Sequence, residues 1–180
     1  MPLYLCQGAC SSEKSFCECK SELKGSHRRI LRYYFAYGSN LDTGRLEHRV
    51  GRKNVECRLA RLDGYRLSFD KPADDGSGYA MVVPDEGHAV HGVLYALQDH
   101  ELDKLDKHEG VHKKQYVRRT ITVKTHDVEP ISAECYFAVS PSSRLRPGRV
   151  YLDLIIKGAK EHNLPHGYIE WLQTVAVFDE

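Results

Sequence analysis

The chain has 180 residues, 41% hydrophobic and 28% charged, with a formal net charge of +1. That balance suits a globular domain large enough to bury a sizeable core. It argues against nucleic acid or an anionic membrane as partner, and no apolar stretch approaches the roughly 20 residues that span a bilayer.

Residues 1–30 differ from the rest of the chain. Ser, Glu, Lys and Cys dominate, and neither a strand nor a helix period is sustained. Glu13, Glu18 and Glu22 interrupt any apolar leader, so the expected location is cytoplasmic. Four of the six cysteines sit here, Cys6, Cys10, Cys17 and Cys19. Their spacing is not the paired C-x2-4-C of tetrahedral zinc sites, and no metal is expected. A disulfide in an oxidising setting stays open. The reading is an appended extension over 1–30 and one domain over 31–180.

Tyr34-Phe35-Ala36-Tyr37 reads as a buried strand that stops at Gly38-Ser39-Asn40, residues suited to a turn. Asn40 or Asp42 can cap a helix over 43–48, ending before Gly51. A strand, a tight turn and a helix start aim several backbone N–H groups into one small space, where a carboxylate can sit. An ordinary strand–turn–helix connection would look the same.

Short strands come next. Residues 55–62 and 65–70 predict a hairpin joined at Asp63-Gly64. Residues 72–78 form a polar loop. Residues 79–83 are a strand closed by Pro84, with a turn at Asp85-Glu86-Gly87 and another strand over 91–97. Gly92 marks a bulge or a close backbone approach. Residues 115–125 and 132–140 alternate as strands, placing Tyr116 and Tyr136 opposite their apolar neighbours.

Helices are predicted over 100–109, capped by Asp99, over 150–162 and over 166–174. The sum is an α+β fold, a small mixed, antiparallel-rich β-barrel flanked by helices.

Glu109 closes the first of these helices, with Gly110 placed for the left-handed cap. A carboxylate at the negative helix end is disfavoured, which raises its pKa. Burial would add to that, and a carboxyl poised nearer neutral pH can take and return a proton. A solvated glutamate in the last turn is the plainer alternative. Ten histidines are present, but a zinc hydrolase is not expected. Ser39 lacks a G-x-S-x-G elbow.

Tyr37-Gly38-Ser39-Asn40-Leu41, then Glu109-Gly110-Val111 with Tyr116, then Tyr136 and Tyr151, then Gly158-Ala159-Lys160-Glu161 running to Leu164-Pro165, resemble the γ-glutamyl cyclotransferase family in content and order. The resemblance covers about residues 33–171. It implies the cyclotransferase fold, with Glu109 as general acid and base. It also implies that Tyr37, Gly38, Ser39, Asn40 and Leu41 bind the γ-glutamyl group, with Tyr116, Tyr136 and Tyr151 lining the pocket.

The substrate class so implied is a γ-glutamyl amide, whose own α-amine closes a ring onto the γ-carbonyl to give 5-oxoproline and a free amine. That reaction calls for no metal or cofactor. A non-catalytic protein that keeps the pocket to bind a small carboxylate ligand is the alternative. The identity of the amine and the choice between monomer and homodimer stay open.

Overall fold

A computed structural model describes residues 31–126 and 129–178. The cysteine-rich extension and its boundary lie outside the described residues. Five strands form one mixed sheet: β1 (Leu31–Ala36), β2 (Cys57–Pro72), β3 (Gly78–Gln98), β4 (Tyr116–Val123) and β5 (Ile131–Ala138). Four helices accompany them: α1 (Thr43–Val50), α2 (Asp99–His108), α3 (Arg149–Glu161) and α4 (His166–Thr174). The strand order is β2-β3-β1-β5-β4. Among the described residues, β1 and β5 are the one pair that runs parallel, at Tyr34 and Glu134. The other pairings are antiparallel.

Being central explains why β1 ends as an unbroken buried run, Tyr34-Phe35-Ala36, since both of its faces are covered. The matching run on β3, Val93 to Leu97, is buried for the same reason. The sheet curls until its two edge strands meet at one bridge. Arg61 N–H donates to Lys124 O at 2.8 Å, and Lys124 N–H donates back at 2.9 Å. Asp63 pins this seam through Lys124 Nζ at 2.9 Å. The result is a half-barrel with helices packed round it, as the α+β reading expects.

The hairpin predicted at Asp63-Gly64 does not form. β2 runs straight through, and Gly64, at φ 76°, sits in a pairing break opposite Pro84–Ala89. The turn expected at residues 85–87 is the other side of that break, and β3 resumes pairing beyond it. The true hairpin loop is residues 73–77, closed by Ala73 N–H on Ser77 O at 2.9 Å. A left-handed glycine serves a bulge as well as a turn. Gly92 is a close approach: a Cβ there would stand 2.3 Å from Ala36 O.

Helix ends follow their capping residues. Asp42 caps α1 by accepting from Arg45 N–H at 2.7 Å, and Gly51, at φ 76°, ends it. For α2 the cap is Gln98 rather than Asp99, in a capping box with Glu101. Asp99 instead pairs with Arg32 at 2.8 Å. Gly110 takes the left-handed conformation predicted for it, at φ 66°.

Candidate active site

The bend after β1 is a single 3-10 turn, Ser39–Leu41, held by Leu41 N–H on Gly38 O at 2.9 Å and Asp42 N–H on Ser39 O at 3.3 Å. The N–H groups ahead of these, on Ser39 and Asn40, have no acceptor within the turn. All three residues of the turn are buried.

α3 clamps the bend from outside. Gly158 lies so close that a Cβ would meet the Leu41 carbonyl carbon at 2.2 Å. One residue earlier, Lys157 pairs with Asp42. Glu161 Oε2 accepts from Thr43 N–H at 3.2 Å, and the Thr43 hydroxyl meets His162 Nε2 at 3.1 Å. The Gly-Ala-Lys-Glu stretch is therefore the brace that shapes the bend.

Glu109, at the end of α2, faces the bend. Its Oε1 accepts from Asn40 Nδ2 at 3.0 Å and from Arg49 at 2.8 Å. The same Arg49 donates to Asn40 Oδ1 at 2.7 Å, and Asn40 Nδ2 also donates to the Tyr34 hydroxyl at 2.8 Å. Asn40 thus links the acid to the bend instead of capping α1. Burial raises the Glu109 pKa above its ordinary value, outweighing the nearby Arg49 charge and the Asn40 hydrogen bond, which pull it down.

Around Glu109 lies a stepped cleft. The inner end, about 30 Å³, is walled by the bend, Glu109, Ala80 and the rings of Tyr34, Tyr37, Tyr116, Tyr136 and Tyr151. The outer part, about 220 Å³, shares Ser39, Glu109, Tyr116 and Tyr151 with it. Tyr37, Gly38, Ser39, Asn40, Glu109, Tyr116, Tyr136 and Tyr151 therefore meet in one place. Leu41 does not line the cleft; it is fully buried in the core beneath the bend.

The tyrosine hydroxyls are mostly committed to the protein. Tyr37 donates to Tyr136 O at 2.6 Å, Tyr116 to Ala80 O at 2.9 Å, and Tyr136 to Asp106 at 2.7 Å. The Tyr151 oxygen accepts from Ala80 N–H at 3.1 Å. Burial pushes the Tyr151 pKa up to about 12 and raises those of Tyr34, Tyr37, Tyr116 and Tyr136. The wall is thus neutral and stiff, and the ionisable group it encloses is Glu109.

Sequence reasoning missed Tyr34, Arg45 and Arg49. The two arginines lie four apart on α1, so both fall on one side of it. That spacing is the signal that could have found them. One motif was also passed over: His108-Glu109-Gly110-Val111-His112 spells H-E-x-x-H. In a zinc helix that spacing stacks both imidazoles on one face. Here α2 ends at His108 and Gly110 turns left-handed, so the stacking is lost.

The half-barrel thus carries a small cleft with a buried acid set against a donor-rich bend. Comparisons with known proteins bear on its fold and family. The AIG2-like family model matches residues 89–172. The γ-glutamylcyclotransferase of Bos taurus is 35% identical over 147 residues, spanning 79% of this chain and 77% of its own. The human γ-glutamylcyclotransferase is 33% identical over the same shares. A solved γ-glutamyl cyclotransferase structure superposes with a TM-score of 0.77 at 30% identity, covering 84% of this chain and 91% of that one. The chain belongs to the γ-glutamylcyclotransferase family. Among the described residues, no helix is long and apolar enough to cross a membrane.

Proposed function

We propose that this protein converts a γ-glutamyl amide to 5-oxoproline and a free amine, with Glu109 as the general acid and base. One observation carries the reading: the Glu109 carboxyl is tied through Oε1 to both the bend and α1, and it opens onto both parts of the cleft. The glutamyl end lies at the bend, where Gly38, Ser39 and Asn40 present backbone groups, and the leaving amine points into the outer cleft. Glu109 takes a proton from the substrate α-ammonium. The freed amine attacks the γ-carbonyl carbon, forming the ring C–N bond and a tetrahedral oxyanion. Collapse breaks the bond to the leaving nitrogen, which receives that proton from Glu109. The extra proton left on the ring nitrogen then passes through Glu109 to the departing amine, which leaves as an ammonium.

Folding the substrate so that its amine meets its own carbonyl is the larger contribution, roughly 7–11 kcal/mol for a well-oriented intramolecular reaction. General acid/base help adds about 10²–10⁴ in rate. The tyrosine rings supply shape rather than charge, because their hydroxyls are already bonded. The whole reaction is assigned to residues 31–180, so a chain starting near Arg29 keeps it.

Incubation with a panel of γ-glutamyl compounds tests the reading. 5-Oxoproline released in step with the amine is the expected product. Free glutamate would indicate hydrolysis instead. Binding without turnover would favour a carboxylate-binding protein.

A further inference from the structure

The tip of the β2–β3 hairpin overhangs the outer cleft, to which its loop supplies Ala73 and Asp74. Asp74, Asp75 and Gly76 are exposed, so the loop buries little apolar surface of its own. Within it, Gly76 N–H donates to Ala73 O at 3.2 Å and Ser77 N–H to Asp75 Oδ1 at 2.9 Å, besides the closing bond from Ala73. These bonds shape the loop but do not fix it to the body of the protein.

The fixing comes from two later segments. Gly78 N–H donates to Arg146 O at 2.8 Å, which ties the base of the loop to the stretch before α3. Beyond α4, Phe178 N–H donates to Pro147 O at 2.9 Å, one residue further along that stretch. This anchor sets the Phe178 ring against the loop tip: a Cβ on Gly76 would stand 3.4 Å from its Cζ. Gly76, at φ 86°, takes a conformation that favours glycine and leaves the ring a flat seat. Val177 and Phe178 also wall, with Asp75 and Ser77, a hollow of about 680 Å³. Arg45, Tyr79 and Tyr151 border both that hollow and the outer cleft. The loop is thus a partition with open space on each side, and the Phe178 ring is an apolar contact at its tip.

We propose that residues 175–178 are a strap that holds the 73–77 loop, and that Phe178 is the positioning residue through which the strap sets the shape of the outer cleft. Without the ring, the loop keeps its turn but moves between the two open spaces. A ligand must then arrest that motion as it binds, and the ordering weakens affinity. Glu109 and the bend are held from α1 and α3, so ring closure itself is spared. The consequence for turnover rests on the cyclotransferase reading; the strap does not.

Two measurements on the full chain test the proposal. The first is amide hydrogen exchange over residues 73–78, read by mass spectrometry, which needs no substrate. The amides of Ala73, Gly76, Ser77 and Gly78 all have acceptors, so they exchange slowly in the wild type. In Phe178→Ala they exchange about tenfold faster, while β1 and α3 keep wild-type protection. The second is 5-oxoproline release from γ-glutamyl-L-alanine. Phe178→Ala raises KM about three- to tenfold and leaves kcat within about twofold. Phe178→Leu, which keeps apolar bulk against the loop, stays near the wild type in both measurements. Unchanged exchange in Phe178→Ala would overturn the strap. Protection lost equally in β1 and α3 would do the same, by showing a merely structural role. Faster exchange with an unchanged KM would overturn the role in the cleft. No 5-oxoproline from the wild type would end the cyclotransferase reading and the role in the cleft, while the exchange result still decides the strap.

Discussion

The two ends of the cleft are built on opposite principles. At the inner end almost every polar side chain is already bonded to another part of the protein, and the backbone of the bend supplies the free donors. The tyrosine hydroxyls meet carbonyls, Asp106, the Ala80 N–H or Asn40, Asn40 bridges to the acid, and α3 presses on the bend. The outer wall has Lys71 and Arg45 with donors to spare. A fully bonded wall fixes geometry, which a ring closure needs. A wall with unmet donors waits for something to bring the acceptors. The difference teaches that one cleft can set an end of fixed, bonded side chains beside an end whose side-chain donors are unmet, the two sharing Ser39, Glu109, Tyr116 and Tyr151.

Substitutions at the inner end should therefore strike turnover, and those at the outer wall should strike affinity. The largest effect is expected for Glu109→Gln, which keeps the shape and the Asn40 contact but cannot accept the proton. Turnover should drop about 10²–10⁴-fold while a γ-glutamyl ligand still binds; near-full activity would remove Glu109 from the chemistry. Gly158→Ala comes next. The new methyl meets backbone, which cannot swing aside, so the bend or α3 must shift. A loss of about 1–3 kcal/mol in denaturant unfolding is expected, with a fall in kcat. Asp42→Ala removes the α1 cap and the Lys157 partner and should cost about 1 kcal/mol.

The smallest effect is a shift in pH dependence. Burial lifts the folded Glu109 pKa above its ordinary value of 4.5. The base form therefore fills only as pH rises past that lifted value, and the acid limb of kcat/KM should lie above pH 4.5. Arg49→Met removes a charge that favours the carboxylate, so the limb should move to higher pH. An unmoved limb would mean that Arg49 does not tune the acid. For stability the sign is opposite. The folded state keeps the proton longer, so the stabilisation that Glu109 gives is present below pH 4.5 and is lost as pH rises through the lifted pKa.

Much of this was legible in the chain. Tyr34 to Asn40 announced a strand stopping at a bend, and Glu109-Gly110 announced a helix end with a left-handed glycine, because both depend on neighbours in sequence. The long β2–β3 ribbon was not legible. Asp63-Gly64 fits a hairpin turn and a bulge equally well, and only the strand lying opposite decides between them. Arg49 and Tyr34 escaped notice because their partners lie 60 and 6 residues away, on elements that only the folded chain brings together. The direction of the tyrosine hydroxyls was hidden too. Alternation assigns a ring to a face, but not its oxygen to Ala80 or Asp106.

The press of Gly158 on Leu41 also sets an order of assembly during synthesis. The bend, the acid and all five wall tyrosines leave the ribosome before residue 158, as a set of parts without a mould. The brace arrives some 120 residues after the bend it shapes, as the gap from 41 to 158 requires. A nascent chain halted before residue 158 would own every reacting group and still be idle.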